Sequence, residues 1–281
     1  MQEKIKNKKI NNNNNNTNKP IGIFDSGFGG LTVMSAINKA LPLESLIYFG
    51  DTAHVPYGSK SKNTVIKYSK EITSFLMKHR VKLIVIACNT ASAFALAVLQ
   101  KTLNIPVIGV IEPGSRAAVN VSKNKKIGII GTEGTINSKS YPHEINKISK
   151  SKVYQQACPL FVPLVEEGWS VGEITDSIVK KYLKSILNKQ IDTLVLGCTH
   201  YPLLRKTLEK NVGENVKLID SAKATAQEVK NTLKKIHLLA DVKGEQFLKF
   251  YVSDNPDKFQ EIGSRFFSKK ISGVKKIEMI S

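Results

Sequence analysis

The chain has 281 residues, 41 % of them hydrophobic, which excludes a wholly disordered protein and allows one large or two moderate domains. Its three cysteines exclude a disulfide scaffold and lack the spacing of a zinc site, so we expect a reducing, cytoplasmic setting. The formal net charge is +19, but only four of the 42 basic residues are arginine. Arginine is the residue that binds phosphates and bases bidentately. We therefore expect most lysines to be solvated and the protein not to bind nucleic acid.

The first 19 residues are a polar tail that contains the run NNNNNNTN and has no apolar periodicity. We predict that residues 1–19 are disordered and that the fold begins at Pro20. The tail lacks the apolar stretch of a secretory signal. The longest apolar run, residues 83–99, is interrupted by polar residues, so we predict no membrane span.

Short apolar runs alternate with helical patterns from Pro20 onward. Runs that are apolar throughout are typical of parallel strands covered on both faces, and the clearest helical patterns between them are 63–78 and 174–187. This alternation predicts an α/β fold with mainly parallel sheets. The predicted strands are 21–24, 46–49, 83–87, 107–110, 127–130, 152–156, 193–197, 217–219 and 248–252.

Three pairs of motifs recur in the same order at an offset of about 106 to 110 residues. IGIFDSG matches IGIIGTEG, IVIACNT matches LVLGCTH, and VIGVIEP matches VKLIDSA. Since the offset is a domain length, not a solenoid period, we predict two similar α/β domains that face each other across an active-site cleft. The first domain would comprise residues 20–112 plus 222–281, and the second would comprise residues 113–221.

Two of the three cysteines end matching apolar runs, and ligands bind beyond the carboxyl ends of strands in open parallel sheets. Cys88 precedes a helix predicted to start near Ser92, whose dipole would lower the pKa of the thiol. Cys198 repeats the arrangement, with His200 two residues later. Either cysteine alone could be a small core residue, but two facing thiols are suited to removing a proton from one face of a carbon and delivering one to the other. Cys158 has no counterpart and is predicted to be structural.

Polar residues at other strand ends extend the candidate site. Asp25 and Ser26 begin the motif DSGFGG, which is not a dinucleotide fingerprint, because the third glycine of that fingerprint would fall at Thr32. Asp25 could cap a helix, relay a proton or bind an ammonium group. The turn at Tyr57 and Gly58 could bind a carboxylate.

The motifs FDSGFGGLTV, GDTAHVPYG, ACNTASA, GTEGTI and GCTHYPLL occur in the order and spacing of bacterial glutamate racemases, which the chain resembles from about Ile21 to Ala222. His54 stands where that family often has arginine. The resemblance implies interconversion of L- and D-glutamate without a cofactor or metal, supplying D-glutamate for peptidoglycan synthesis in the cytoplasm. It also implies a homodimer.

The resemblance further implies a role for each matching residue. Cys88 would take the α-proton of D-glutamate with the assistance of Asp25, and Cys198 would take that of L-glutamate. His200 and Glu167 would assist Cys198.

The sequence alone leaves open whether Glu166 or Glu167 is the acidic helper. Asp25 and His200 also count among the implied substrate-binding residues. Of the other implied substrate-binding residues, Asn89, Thr90 and Thr199 would hold the α-carboxylate. Ser26, Tyr57 and Gly58 would hold the side-chain carboxylate.

Two alternative functions remain open. A cofactor-independent racemase for aspartate or hydantoins would also use two cysteines, although the PYG turn and CTHYPLL favour glutamate. A two-lobed binding protein for acidic amino acids would account for the similar halves but would not need two matched cysteines.

Overall fold

The structure is a computed structural model that describes residues 16–240 and 246–278. Residues 1–15 of the predicted disordered tail lie outside the described residues. The prediction of disorder is wrong for residues 16–19, because this segment packs on the fold: Thr17 is buried, and its carbonyl oxygen accepts a hydrogen bond from the Lys82 ammonium group.

The described residues contain ten strands, and nine of them lie where apolar runs predict them, within one residue at each end. The tenth is a two-residue edge strand without an apolar pattern. The strands are β1 (Ile21–Asp25), β2 (Leu46–Gly50), β3 (Leu83–Ile86), β4 (Val107–Gly109), β5 (Lys126–Gly131), β6 (Lys152–Ala157), β7 (Thr193–Gly197), β8 (Lys217–Asp220), β9 (Leu248–Val252) and β10 (Lys275–Lys276).

These strands form two parallel sheets. The order is β10-β9-β2-β1-β3-β4 in the first sheet and β6-β5-β7-β8 in the second. The segment β2-β1-β3-β4 therefore has the same strand order as the whole second sheet, which accounts for the three recurring motif pairs. The predicted α/β fold class with two similar parallel-sheet halves is confirmed.

Helices cover the sheets and connect their parallel strands, because parallel neighbours need a crossover connection. The predicted helices at 63–78 and 174–187 are present, each one residue longer at its start. The helices are α1 (Leu31–Ala40), α2 (Lys62–Lys78), α3 (Asn89–Thr102), α4 (Ile111–Val121), α5 (Glu133–Asn137), α6 (Ser140–Ile148), α7 (Phe161–Glu166), α8 (Glu173–Leu187), α9 (Arg205–Val212), α10 (Ser221–Lys235) and α11 (Pro256–Phe267).

The chain leaves the first sheet after β4, builds the second sheet, and returns through α10 to add β9 beside β2. Helix α10 packs against α1 and α4. The exact division of the chain into domains stays a prediction. Within the described residues, no helix is long and apolar enough to cross a membrane.

A buried ion pair beside the starts of β2 and β3 holds neighbouring chain segments together. Lys82 Nζ lies 2.5 Å from Glu44 Oε2, and both side chains are almost fully excluded from solvent. Lys82 also donates to the Leu238 carbonyl oxygen, and Glu44 Oε1 accepts from the Ala240 amide. The pair thus links the segment around Thr17, the start of β2 and the end of α10.

Replacement of Lys82 by methionine is expected to destabilise the fold strongly, because it leaves the Glu44 carboxylate buried without its partner. Breaking such a pair costs about 3–5 kcal/mol of unfolding free energy. Urea unfolding of Lys82→Met checks the prediction. The matched control is Lys210→Met, which breaks the exposed pair with Asp176 and should leave the urea midpoint almost unchanged. Equal losses for the two variants would contradict the account.

Candidate active site

The two matched thiols line one narrow cavity between the sheets. Cys88 follows β3 and Cys198 follows β7, the corresponding strands of the two sheets, and the side chains are buried. Cys88 is the N-cap of α3, and its sulfur accepts a hydrogen bond from the Ala91 amide at 3.4 Å. The helix therefore begins at Asn89, three residues before the predicted start, because the thiol itself caps it.

The cavity brings together most residues that the sequence singled out. Its volume is about 20 Å³, close to the size of one water molecule, so the cavity must widen to admit a larger ligand. Asp25 is fully buried at the end of β1, next to Ser26 on the cavity wall. The cavity is lined by Ser26, Val55, Pro56, Tyr57, Gly58, Cys88, Asn89, Thr90, Thr132, Thr135, Val162, Gly197, Cys198, Thr199 and His200.

Burial controls the protonation of Cys88. Removal from water, followed by the nearby Asp25 carboxylate, raises the pKa of the Cys88 thiol to about 12, although the Ala91 amide and the Ser26 hydroxyl oppose the rise. The expectation that the helix dipole would lower this pKa is wrong, because the cost of burying a thiolate exceeds the effect of the helix N-terminus. Cys88 is a neutral thiol at physiological pH.

Asp25 connects the two halves of the site. Its Oδ2 accepts from the Gly27 amide at 3.1 Å, and its Oδ1 accepts from the Thr199 hydroxyl at 3.5 Å. Burial raises the pKa of Asp25, and the charge of His200 works in the opposite direction. The carboxyl group therefore contacts a residue of each half and responds to the charge of His200.

The second thiol has a charged partner. His200 Nδ1 lies 3.9 Å from the Cys198 sulfur, and His200 Nε2 lies 3.0 Å from Glu166 Oε1. Burial alone would lower the pKa of His200, but its contacts with Cys198 and Glu166 more than reverse this effect and raise the pKa to about 10. The imidazole is therefore positively charged at neutral pH, beside the sulfur.

The acidic neighbour of His200 is Glu166, which corrects the implied assignment of Glu167. Glu166 is the last residue of α7, and its side chain turns toward the cavity. Glu167 is exposed and lies in an adjoining wider pocket. Both residues line that pocket, but among the described residues only Glu166 contacts His200.

Asn89 offers a hydrogen-bond donor to the cavity. Its Oδ1 accepts from the Tyr141 hydroxyl at 2.8 Å, which fixes the amide orientation. Its Nδ2 is buried and has no hydrogen-bond partner among the described residues. Because a buried donor without a partner is costly, this group is suited to a carboxylate oxygen of a bound ligand.

Three threonine hydroxyls form a cluster beside Asn89. Thr90 Oγ1 lies 2.9 Å from Thr132 Oγ1 and 3.2 Å from Thr135 Oγ1. Sequence reasoning missed Thr132 and Thr135. The signal was present, since the GTEGTI motif that contains them echoes the DSG motif after β1 in the other half.

Tyr57 lines the cavity, and its hydroxyl is held by a buried carboxylate. The hydroxyl donates to Asp51 Oδ2 at 2.5 Å, and the buried Asp51 also contacts the imidazole of His54 and accepts from Ser253. Asp51 therefore anchors the turn that carries Tyr57 and Gly58. The Tyr57 hydroxyl proton is committed to Asp51, which leaves the backbone of the turn as the available donor for a ligand.

The glycines of DSGFGG permit close approach between the halves. A Cβ atom at Gly29 would lie 2.3 Å from Thr199 Oγ1 and 2.5 Å from His200 Nδ1. A Cβ atom at Gly58 would lie 2.6 Å from the Cβ of Thr132. Larger residues at these positions would separate the two walls of the cavity.

No group of three or more His, Cys, Asp or Glu side chains suited to a metal ion occurs in the part of the chain that the structure describes. Independence from metals and cofactors stays a prediction.

The chain is similar to known proteins over most of its length. The profile of the Asp/Glu/hydantoin racemase family matches residues 21–229. A glutamate racemase from Geobacter metallireducens is 51 % identical over 262 residues, which is 93 % of this chain and 97 % of that protein. One from Neisseria meningitidis serogroup B is 49 % identical over 265 residues, which is 94 % of this chain and 97 % of that protein.

Solved structures agree with this similarity. Glutamate racemase RacE1 from Bacillus anthracis has a TM-score of 0.89 and 42 % identity, covering 92 % of this chain and 97 % of its own. The Francisella tularensis enzyme in complex with D-glutamate has a TM-score of 0.88 and 39 % identity, covering 94 % and 98 %. An aspartate racemase from Picrophilus torridus shares only the fold, at 17 % identity and a TM-score of 0.52, covering 79 % and 100 %.

The charge of His200 predicts a specific dependence of stability on pH. Its pKa is about 10 in the folded protein and about 6.5 when unfolded, so the folded state holds a proton that the unfolded state loses between these values. The contribution of His200 to stability is complete below about pH 6.5 and disappears as the pH rises through about 10.

Chemical unfolding of wild type and His200→Gln across this pH range tests the prediction. The stability difference between them should shrink as pH rises. The exposed His143→Gln is the control and should run parallel to wild type. A pH-independent difference for His200→Gln would contradict the assigned charge.

Proposed function

The chain belongs to the Asp/Glu/hydantoin racemase family, and from this premise we propose that Cys88 and Cys198 exchange the α-proton of glutamate across opposite faces of the carbon. The protein is an isomerase that racemises glutamate. The observation that carries the assignment of the two thiols is their placement: one thiol from each half lines the same buried cavity. A proton leaving toward one half and arriving from the other inverts the configuration.

The chemical difficulty is the weak acidity of the α-proton. A sulfur base must lie within reach of it, and the negative charge that develops on the substrate must be stabilised by fixed donors in a cavity that excludes water. Asn89 Nδ2 is such a donor for the α-carboxylate, and the hydroxyls of Thr90 and Thr199, which line the same cavity, turn to the carboxylate from their present partners when substrate binds. Burial of the cavity walls supplies the exclusion of water.

The charges assign different roles to the thiols in the state described. A positive imidazole beside a thiol stabilises negative charge on its sulfur, so Cys198 is the base that removes the α-proton of L-glutamate. Cys88, whose pKa is raised to about 12, is the acid that delivers a proton to the opposite face and forms D-glutamate. The reverse reaction uses the same groups with the proton on Cys198, and Asp25 then assists Cys88.

The side-chain carboxylate of the substrate binds at the turn that Asp51 anchors. Ser26 and the backbone of Tyr57 and Gly58 face the cavity there. Substrate enters from the adjoining wider pocket, which shares Pro56 and other wall residues with the cavity. Closure of the walls around glutamate then restores the dry environment that proton transfer needs.

The biological setting follows from the reaction and the relatives. The similar glutamate racemases of Geobacter metallireducens and Neisseria meningitidis are bacterial enzymes, and D-glutamate is the product that we assign to peptidoglycan synthesis in the cytoplasm. The three cysteines are free thiols, which suits a reducing compartment. A homodimer that needs no cofactor is proposed from the resemblance to the family.

Removal of either thiol is expected to abolish racemisation. Cys88→Ser and Cys198→Ser should lower kcat by roughly 10²–10⁴-fold, because each removes the acid or base on one face. Circular dichroism of product mixtures measures the rate. Cys158→Ser is the control and should keep activity, since this thiol lies in the hydrophobic core, donates to the Gln156 carbonyl oxygen and does not line the cavity. Wild-type turnover by either cavity variant would contradict the two-thiol mechanism.

Incubation in deuterated water separates this function from its alternatives. The wild type should wash out the α-proton of glutamate, whereas a binding protein for acidic amino acids would bind without exchange. A faster reaction with aspartate than with glutamate would instead place the chain with aspartate racemases. Nuclear magnetic resonance of the substrate α-proton reports all three outcomes.

Loss of the Asn89 donor should weaken substrate binding. A hydrogen bond to a charged group is worth about 1.5–3 kcal/mol, so Asn89→Ala should raise KM for both enantiomers by roughly 10- to 100-fold. Steady-state kinetics in both directions check this. An unchanged KM would show that Nδ2 does not bind the carboxylate.

A further inference from the structure

The C-terminal helix α11 reaches the environment of the second thiol. Arg265 Nη2 donates a hydrogen bond to the Glu166 carbonyl oxygen at 2.8 Å. Phe266 is buried, and the centroid of its ring lies 5.1 Å from that of His200 in an edge-on arrangement. Helix α11 follows β9 of the first sheet, whereas Glu166 and His200 follow strands of the second sheet.

Arg265 acts on the end of a short helix. Glu166 is the last residue of the six-residue α7, and cations stabilise the carbonyl groups at a helix C-terminus. The guanidinium also covers the turn that follows, since a Cβ atom at Gly168 would lie 2.7 Å from Arg265 Nη1. Arg265 takes part in none of the ion pairs found among the described residues. Its polar contact there is the hydrogen bond to the Glu166 carbonyl oxygen.

We propose that Arg265 is a positioning residue for proton transfer at Cys198, which it affects through Glu166 and His200. By holding the last carbonyl of α7, it fixes the backbone from which the Glu166 carboxylate reaches His200 Nε2. This inference rests on the proposed roles of Cys198 and His200. It gives α11 a part in the chemistry although no residue of that helix lines the cavity.

The groups around His200 explain why Glu166 must be held. The charged or titratable groups that face the imidazole are Cys198 on its own loop, Glu166 from α7 and Asp25 from β1. Phe266 covers it from α11 and carries no charge. The Glu166 side chain is 20 % exposed, so without Arg265 its carboxylate has a route into solvent and away from the imidazole.

A double-mutant cycle tests the inference. Arg265→Met and Glu166→Gln should each lower kcat/KM by about 10- to 100-fold, and the double variant should be no slower than Glu166→Gln alone, because both changes remove the same contact. Arg265→Lys should recover part of the activity. Lys258→Met, an exposed cation on the same helix, should match wild type. For each variant, kcat/KM must fall by the same factor for L- and D-glutamate, since the equilibrium constant between mirror images is unity.

A titration of His200 supplies a readout that does not depend on turnover. Histidine-labelled protein, with the signal assigned by His200→Gln, should show His200 titrating at lower pH in Arg265→Met than in wild type, as in Glu166→Gln. If Arg265→Met fails to fold, Arg265→Gln takes its place in both measurements.

Independent losses that multiply in the double variant, with His200 titrating as in wild type, would overturn the inference and leave Arg265 a structural residue. Failure of the proposed function is distinguishable, because it would appear as racemisation by the single-thiol variants while the His200 titration still responded to Arg265.

Discussion

Burial of titratable groups in one narrow cavity is the constraint on which the rest of the site depends. Proton transfer from carbon needs a dry cavity, yet a dry cavity opposes every charge placed in it. The two sides resolve this conflict differently. Cys88 stays neutral and serves as an acid, whereas Cys198 lies against a positive imidazole that Glu166 balances.

The fold makes this arrangement possible by repetition. The two sheets share a strand order, so β3 and β7 end at corresponding places and each delivers a thiol to the cavity. The shared strand order places the two thiols, and residues that differ between the halves give each thiol its own neighbours. Because L- and D-glutamate are mirror images of equal free energy, this asymmetry cannot change the ratio of kcat/KM between the directions. It can make kcat differ between the two directions only if KM differs by the same factor.

The sequence predicts the strands, the fold class and most cavity residues because apolar runs and strand-end motifs are local signals. It does not predict the sign of the pKa shift at Cys88, since burial by the opposite half is a property of the assembled cavity. It also does not decide between Glu166 and Glu167, because the end of α7 and the reach of its last side chain depend on packing that includes Arg265, 99 residues from Glu166. The small edge strand β10 and the packed segment at Thr17 lack any apolar pattern and depend on tertiary contacts.

The central claim is that one thiol removes a proton from one face while another delivers a different proton to the opposite face. The most direct measurement follows protiated L-glutamate in deuterated water at low conversion and determines deuterium at the α-carbon of both enantiomers by mass spectrometry. The account predicts deuterated D-glutamate and recovered L-glutamate that remains protiated. D-glutamate that retains the original proton, or equal deuterium in both enantiomers from the start, would indicate a single base and contradict the account.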